Sequence, residues 1–162
     1  MAKFDDENVL LEDTQKDKYL TFLIDKEVFG LDIKNVTEII GIQTITEVPD
    51  TPDFIKGIIN LRGKIIPVMD VRLRFKKQFL EYNDRTCIIV INMREVTVGL
   101  IVDSVAEVVD IPEENIENPP KIKNHHNRYI RAIGKIEQEV TLLLDCEKLL
   151  EEEEIEILSN FA

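Results

Sequence analysis

The stretch Gly57-Ile-Ile-Asn-Leu-Arg-Gly-Lys-Ile-Ile-Pro-Val-Met-Asp70 occurs a second time, 75 residues later and without gaps, as Ala132-Ile-Gly-Lys-Ile-Glu-Gln-Glu-Val-Thr-Leu-Leu-Leu-Asp145. Apolar residues recur at equivalent places, since positions 58, 61, 65, 68 and 69 match positions 133, 136, 140, 143 and 144. A match at a fixed spacing is the signature of a repeated structural unit. The sequence therefore predicts two similar halves.

A second pair of segments, upstream of the first, extends this repeat. Gly30–Ile40 matches Gly99–Val109 at an offset of 69 residues. The two halves then span residues 19–75 and 86–150, and each has about the size of a small β-barrel.

The segments within each half have the character of strands, because they are short, rich in β-branched residues and bounded by turn residues. Eight strands are predicted, at Tyr19–Ile24, Val28–Ile33, Ile58–Leu61, Lys64–Asp70, Thr86–Ile91, Val96–Val102, Ile130–Ile136 and Val140–Leu144. Tight hairpins are predicted at equivalent places of the two halves, namely Asp25-Lys26, Arg62-Gly63, Met93-Arg94 and Glu137-Gln138.

Three further segments do not have the pattern of strands. In Lys34–Ile40 and Ser104–Val109 the apolar residues are three positions apart, and each segment is predicted to form a single helical turn. Asp110–Asn127 is polar and contains prolines, which predicts a loop.

The acidic residues are concentrated at the two ends of the chain. The sequence has 32 acidic and 20 basic residues, a net charge of -12. Residues 1–17 carry -4 and residues 145–156 carry -6, which leaves -2 for the body. We expect residues 1–17 to form a disordered acidic arm and residues 151–162 an acidic C-terminal helix or tail. A negative chain is repelled by nucleic acids and by anionic membrane surfaces, and neither is expected as a partner.

The sequence indicates neither a membrane segment nor catalytic chemistry. No apolar run approaches the ~18 residues of a membrane span, and the first ten residues are acidic, so we expect a cytoplasmic protein that does not bind the membrane directly. Cys87 and Cys146 lack the spacing of a metal site or a disulfide framework and are predicted to be buried. His125 and His126 are adjacent in the predicted loop and are expected to be solvated. We expect no enzyme, no cofactor and no metal site.

Three motifs of this sequence, in order and in spacing, resemble the CheW family, the adaptors of bacterial and archaeal chemotaxis. They are Thr46–Pro49, Phe54–Asp70 and Val98–Val105, and the resemblance runs from about Tyr19 to Leu150. It implies an all-β fold in which residues 18–150 form two tandem five-stranded SH3-like barrels packed together, with short helical turns and a C-terminal helix. Barrel one would span about residues 19–80 and barrel two about residues 86–150.

The resemblance also implies a function without catalysis or cofactor. Members of the family bind the helical hairpin tip of methyl-accepting chemoreceptors and the regulatory domain of the histidine kinase CheA, and so couple the two. The sequence is therefore expected to be a chemotaxis signal-transduction adaptor, associated with receptor arrays through its partners. Two alternatives stay open: an adaptor of another receptor–kinase array, or an SH3-like barrel that binds a nucleic acid or a small ligand.

The resemblance places a receptor-binding groove along Ile33, Val36 and Ile39, facing Val105. A helix of the receptor would fill it through anchors at helical spacing. A plain apolar core between the barrels would give these four residues the same spacing, so that alternative is kept.

Further candidates come from charged residues and glycines. Glu38 and Arg62 match charged positions that the family uses near its receptor and kinase contacts, although a surface ion pair would also explain them. Gly57 and Gly63 are candidate kinase contacts, although strand-end glycines also permit turns and close backbone approach.

A basic run covers the end of the first half. Its members are expected to lie on a solvated face or to meet an acidic partner, and they are Arg62, Lys64, Arg72, Arg74, Lys76 and Lys77.

Overall fold

The computed structural model describes residues 15–119 and 128–159. Within these ranges the chain forms mostly strands, joined by short turns. The strands are β1 (Lys18–Ile24), β2 (Glu27–Asp32), β3 (Val36–Gly41), β4 (Ile55–Leu61), β5 (Lys64–Asp70), β6 (Cys87–Met93), β7 (Val96–Val102), β8 (Ser104–Asp110), β9 (Ile116–Glu117), β10 (Ile130–Ile136) and β11 (Glu139–Leu144). The helices are α1 (Val71–Arg74) and α2 (Glu152–Ser159), and 3₁₀ turns occupy Ile33–Asn35, Glu113–Asn115 and Cys146–Lys148.

The strands form two sheets, which we call barrel A and barrel B. Barrel A has the order β8-β1-β2-β11-β10-β9, and barrel B has the order β3-β6-β7-β5-β4. Neighbouring strands are antiparallel except for β2 with β11 and β5 with β7. A bridge between Thr46 and Ile58 adds the segment after β3 to the edge of barrel B, as β9 adds to β10 in barrel A. The predicted all-β fold with two sheets is confirmed, although the sheet of barrel A has six strands instead of the five expected from the resemblance.

The two halves of the chain exchange their first hairpins. Barrel A combines β1 and β2 with the last strands of the chain, whereas barrel B combines β3, β4 and β5 with β6 and β7. The predicted division into a barrel at 19–80 and a barrel at 86–150 therefore does not describe the strand membership. The repeat shows which segments are equivalent. It does not show whether a strand pairs with strands of its own copy or with those of the other copy, because both arrangements give the same repeat in the sequence.

Two glycines make this exchange possible at the parallel pairs. Gly30 of β2 lies opposite Leu143, and its repeat equivalent Gly99 of β7 lies opposite Val68. A Cβ atom on Gly30 would come within 2.9 Å of Leu143 Cδ2, and one on Gly99 within 2.9 Å of Val68 Cγ1. At both places a missing side chain lets strands from different halves approach.

Three apolar cores hold the exchanged halves together. The barrel A core contains Tyr19, Ile111, Ala132 and Leu143, and the barrel B core contains Ile59, Ile66, Val68, Ile88, Val90 and Ile101. The largest, which we call the central core, takes side chains from both halves, among them Phe22, Phe29, Met69, Ile89 and Leu144. Strand alternation explains the division, since Leu20 and Phe22 face the central core while Tyr19 faces the barrel A core.

Most predicted strands and turns are confirmed. The eight strands are found with ends shifted by at most three residues, the largest shift being the start of β4 at Ile55 instead of Ile58. Three hairpin turns are found as predicted, and the fourth lies at Arg94-Glu95 instead of Met93-Arg94. The predicted loop 110–127 contains the short strand β9.

The predicted helical turns are wrong for residues 36–40 and for Ser104–Val109, whereas Lys34 and Asn35 do belong to a 3₁₀ turn. Residues 36–41 form β3, after a 3₁₀ turn, and Ser104–Asp110 is β8. The spacing of three has another cause, a β-bulge. Val36 lies opposite Ile91 while Glu38 lies opposite Val90, so β3 holds one extra residue.

The predicted solvated basic face is wrong for two of its members, Arg72 and Arg74, which are buried. Arg72 Nη1 pairs with Asp25 and with Asp103 Oδ2 at 2.7 Å. Arg74 Nε donates to the Leu149 carbonyl oxygen at 2.8 Å, and its guanidinium also pairs with Glu154. Both arginines belong to α1, which follows the buried strand β5.

The C-terminal helix is confirmed as α2, with Leu158 buried. Cys146 is buried as predicted, whereas Cys87 is only half-buried. The predicted arm at 1–17 falls largely outside the described residues, as do His125 and His126. None of the helices in the described ranges is long and apolar enough to cross a membrane.

We expect the two barrels to unfold as one cooperative unit, because the central core is built from both. The chain has three tyrosines and no tryptophan. Tyr19 lies in the barrel A core, Tyr82 packs against the barrel B core and Tyr129 lies in the central core. Three variants that keep one tyrosine each should show coincident fluorescence transitions in denaturant, matching the circular dichroism transition. A separate transition for either barrel would contradict the expectation.

Candidate partner-binding surface

The candidate receptor residues begin where the chain crosses from barrel A to barrel B. The crossing is the 3₁₀ turn Ile33–Asn35, which starts with a cap in which the Asp32 side chain accepts from the Lys34 amide at 3.1 Å. Asn35 Nδ2 donates to Cys146 Sγ at 3.8 Å and holds the turn against barrel A. Ile33 is therefore half-buried and packs on the central core.

The bulge in β3 turns two apolar side chains to the same face. Val36 lies opposite Ile91 and Ile39 lies opposite Ile89, and both partners belong to the central core. Val36 is half-buried there, while Ile39, farther along the edge strand, is 44% exposed. The structure thus brings Ile33, Val36 and Ile39 to one face, as the sequence predicted, by a bulged strand instead of a helix.

The equivalent edge strand of barrel A repeats this arrangement. Val105 of β8 lies opposite Phe22, and Val108 lies opposite Leu20, again with one extra residue on the edge strand. Val105 packs on the central core and Val108 is 50% exposed. Val108 was not among the predicted residues, although it is the repeat equivalent of Ile39 at the offset of 69 residues. We call these side chains, two on the edge strand of each barrel, the edge strip: Val36, Ile39, Val105 and Val108. Val36 and Val105 pack on the same central core, and a groove in which Val105 faces Ile33, Val36 and Ile39 stays a prediction.

Glu38 and Arg62 form an ion pair next to the edge strip. Arg62 occupies the β4–β5 turn with φ of 51°, followed by Gly63 with φ of 88°. Arg62 Nη2 donates to Glu38 Oε2, and the Arg62 side chain is 71% exposed. An exposed pair of this kind stabilises a fold by only about 0–1 kcal/mol. The surface ion pair between Glu38 and Arg62 is present, and the exposure of the Arg62 side chain leaves its guanidinium accessible to a partner.

The two candidate glycines have different surroundings. Gly57 is buried with φ of 147°, and a Cβ atom there would collide with the Thr46 carbonyl oxygen. That oxygen accepts from the Ile58 amide at 2.9 Å in the bridge at the edge of barrel B. Gly63 is exposed, and nothing lies near the position of its Cβ atom. Backbone geometry accounts for both glycines, and only Gly63 belongs to an open surface.

The chemical groups of this region are aliphatic side chains, one ion pair and one buried thiol. The described residues contain no group of three His, Cys, Asp or Glu side chains placed to hold a metal ion. Burial raises the pKa of the Cys146 thiol to about 12, which keeps it protonated at neutral pH. What the region offers instead is exposed aliphatic surface on two strand edges and one accessible ion pair.

Comparisons with known proteins identify the family to which this chain is similar. A family model for the CheW-like domain matches residues 18–154. The chain is 36% identical to the Chemotaxis protein CheW of Klebsiella aerogenes, over 94% of this chain and 93% of that protein. It is 28% identical to Protein FrzA of Myxococcus xanthus, over 83% of this chain and 85% of that protein. A crystal structure of the scaffolding protein TtCheW from Thermoanaerobacter tengcongensis matches with a TM-score of 0.79 and 37% identity, over 85% of this chain and 94% of that one.

Proposed function

The chain belongs to the CheW-like domain family, and from that premise we propose that this chemotaxis adaptor couples the tips of chemoreceptors to the regulatory domain of the histidine kinase CheA. The proposal involves no catalytic step and no cofactor. Such partners would place the protein in the cytoplasm, next to the membrane-bound receptors and linked to them only by protein contacts.

The edge strip is the observation that carries the receptor part of the proposal. Two edge strands flank the same central core and expose equivalent aliphatic side chains, Ile39 and Val108, beyond half-buried Val36 and Val105. One face of a receptor helix offers apolar anchors at intervals of three and four residues, which an apolar strip between packed elements can accept. Ile33 packs on the same central core, and the ion pair of Glu38 with Arg62 would supply a polar border.

The kinase part rests on the turn of the β4–β5 hairpin. Of the two turn residues, Arg62 carries an exposed side chain while Gly63 has none, and Ile65, two residues after Gly63, is exposed, so a partner can approach the backbone closely at Gly63. Gly57 enters this contact only indirectly, because it is buried and supports the segment at Thr46. The CheA regulatory domain is expected to meet this end of barrel B mainly through apolar contacts.

A second candidate function is an adaptor in another receptor–kinase array. It stays open because Protein FrzA, whose name does not refer to chemotaxis, is also similar to the chain over most of its length. Co-purification with a receptor fragment and a CheA regulatory domain from the same organism distinguishes the two, since an adaptor of another array would retain neither.

The receptor surface can be tested with Ile39→Glu. We expect this variant to lose binding of a soluble receptor fragment by at least about tenfold, because the carboxylate would have to be desolvated under the receptor helix. Folding should be preserved, since Ile39 is 44% exposed on an edge strand. Isothermal calorimetry measures the affinity, and circular dichroism follows the unfolding midpoint.

Val140→Glu is the matched control. Val140 is an exposed aliphatic residue of a strand, 51% accessible, but it lies outside the edge strip. It should bind the receptor fragment like the parent. Equal binding by both variants and the parent would show that the receptor does not use the edge strip.

A further inference from the structure

Barrel A has an open apolar groove on the side of β2 and β11, separate from the edge strip. Its volume is about 410 Å³. Phe29 and Phe75 are buried in its floor, next to half-buried Ile130 and Leu142. Its rim carries Glu27, Lys76 and Lys77.

The repeat assigns this groove an equivalent on barrel B. Phe29 corresponds to Val98 at the offset of 69, and Ile130 and Leu142 correspond to Ile55 and Pro67 at the offset of 75. All three equivalents are buried. There α2 packs beside β7, and its residues Ile155 and Leu158 join Val98 and Ile55 in the central core. On barrel B, this position is thus occupied by a short amphipathic helix.

The first half of the chain cannot fill its own groove in this way. The segment equivalent to α2 is residues 77–84, and it has to lead from α1 to β6 instead. It forms no helix, and two of its apolar side chains, Phe79 and Leu80, are 51% and 47% exposed. The groove of barrel A therefore keeps the shape of a helix-binding site, but residues 77–84 form no helix to fill it.

The charges indicate the kind of helix. The helix α2 is acidic, and two basic side chains hold it: Arg74 pairs with Glu154 at 3.1 Å, and Arg94 pairs with Glu152 at 3.9 Å. At the open groove the basic side chains are Lys76 and Lys77. Lys77 already pairs with Asp25 and Glu27, whereas exposed Lys76 has no ion-pair partner among the described residues.

We propose that the groove of barrel A binds an acidic amphipathic helix of a partner protein, with two aliphatic anchors three or four residues apart. This site lies outside the proposed receptor and kinase surfaces and leaves both accessible. It therefore gives the adaptor a third protein contact, whose failure in a test would leave the proposed coupling function untouched.

The peptide Leu150–Ser159 of this chain is the probe, because it has the acidic residues and anchors of a helix that already occupies the equivalent site. Isotope-labelled full-length protein is titrated with it and followed by methyl nuclear magnetic resonance. We expect saturable shifts of the Leu142 and Ile130 methyl groups. A peptide with Leu158→Asp should cause none, because it lacks one anchor.

Two protein variants with the same charge change test the rim. Lys76→Glu should weaken peptide binding by about fivefold, the effect of reversing one exposed charge. Lys148→Glu should bind within about twofold of the parent, because Lys148 is exposed but does not line the groove. Both sites are exposed, so both variants should fold.

Four results would overturn the proposal. The first is no saturable shift at millimolar peptide, and the second is a set of shifts at Val96 and Val98, which would mean that the peptide replaces α2. The third is a change of the Leu142 methyl signal on protein dilution, which would make a second copy the occupant. The fourth is a changed Leu142 methyl signal in the full-length double variant Leu10→Asp, Leu11→Asp compared with the parent, which would make the N-terminal segment the occupant.

Discussion

Neither half of the chain should fold when it is produced without the other, and an equimolar mixture of the two should recover the native fold. Residues 1–80 contain the β1–β2 hairpin of barrel A and β3, β4 and β5 of barrel B, so this fragment completes neither sheet. Residues 81–162 lack the β1–β2 hairpin of barrel A and the strands β3, β4 and β5 of barrel B, so this fragment completes neither sheet either. Each fragment alone also lacks about half of the central core, and a small domain has no stability to spare for that loss.

The measurement is a pair of far-ultraviolet circular dichroism and two-dimensional nuclear magnetic resonance spectra, for each fragment and for the mixture. The control is the full chain with a protease site inserted between Gln78 and Glu81 and then cleaved, which should stay folded as a complex. A dispersed spectrum from either fragment alone would show that the barrels form in chain order after all.

Arg72→Met should lower the stability of the protein by about 3 kcal/mol, because it removes the guanidinium that neutralises the largely buried Asp103 carboxylate, which then keeps only the Asp25 backbone amide as a hydrogen-bond donor. Arg72 Nη1 pairs with Asp103 Oδ2 at 2.7 Å, and the Asp103 side chain is only 18% exposed. The same guanidinium pairs with Asp25 in the β1–β2 turn and donates to the Gln78 carbonyl oxygen. For a chain of this length the loss corresponds to a fall in melting temperature of about 8 °C.

Arg62→Met is the matched control, since it removes an arginine from a carboxylate pair that is exposed. Its cost should stay below about 1 kcal/mol. The double variant Arg72→Met with Asp103→Asn should regain part of the lost stability, because the unpaired buried charge is gone. Equal costs for Arg72→Met and Arg62→Met would show that burial of the pair does not matter.

The same ion pair predicts a pH dependence. The hydrogen bond from Arg72 holds the pKa of Asp25 below its usual range. A lowered pKa in the folded state contributes stability above the unfolded value of about 3.9 and loses it as the pH falls through the folded value. Asp25→Asn should therefore reduce the difference in stability between pH 6 and pH 3, as measured by denaturant unfolding.

The sequence predicted the strands and the repeat well because both depend on local pattern. The strands Lys64–Asp70, Val96–Val102 and Ile130–Ile136 are found with the predicted bounds, since each is apolar and bounded by turn residues. The bulges were missed because an extra residue in an edge strand gives apolar side chains a spacing of three, which is also the spacing of a helical turn.

The exchange of hairpins was not predictable from the repeat, because it depends on which copy of a strand lies nearest after folding. Gly30 and Gly99 mark the two places, but their role appears only when Leu143 and Val68 are seen opposite them. The burial of Arg72 and Arg74 was missed for the same reason, since Asp103 and Glu154, their partners, are distant in the sequence. For the candidate surface, the sequence predicted that Ile33, Val36 and Ile39 share a face, but not that Gly57 is buried.

The hairpin exchange also bears on how such a chain can arise and what it gains. A shorter ancestor with one copy of the repeat would need the hairpin of a second molecule to complete its barrel, giving a symmetric homodimer with identical ends. After duplication and fusion, the sequences at the hairpin ends of the two barrels can change independently of each other. Arg62 and Lys64 at the hairpin turn of barrel B correspond to Glu137 and Glu139 at that of barrel A. The fused molecule therefore has a polarity that a symmetric dimer lacks, and a partner can tell its basic end from its acidic end.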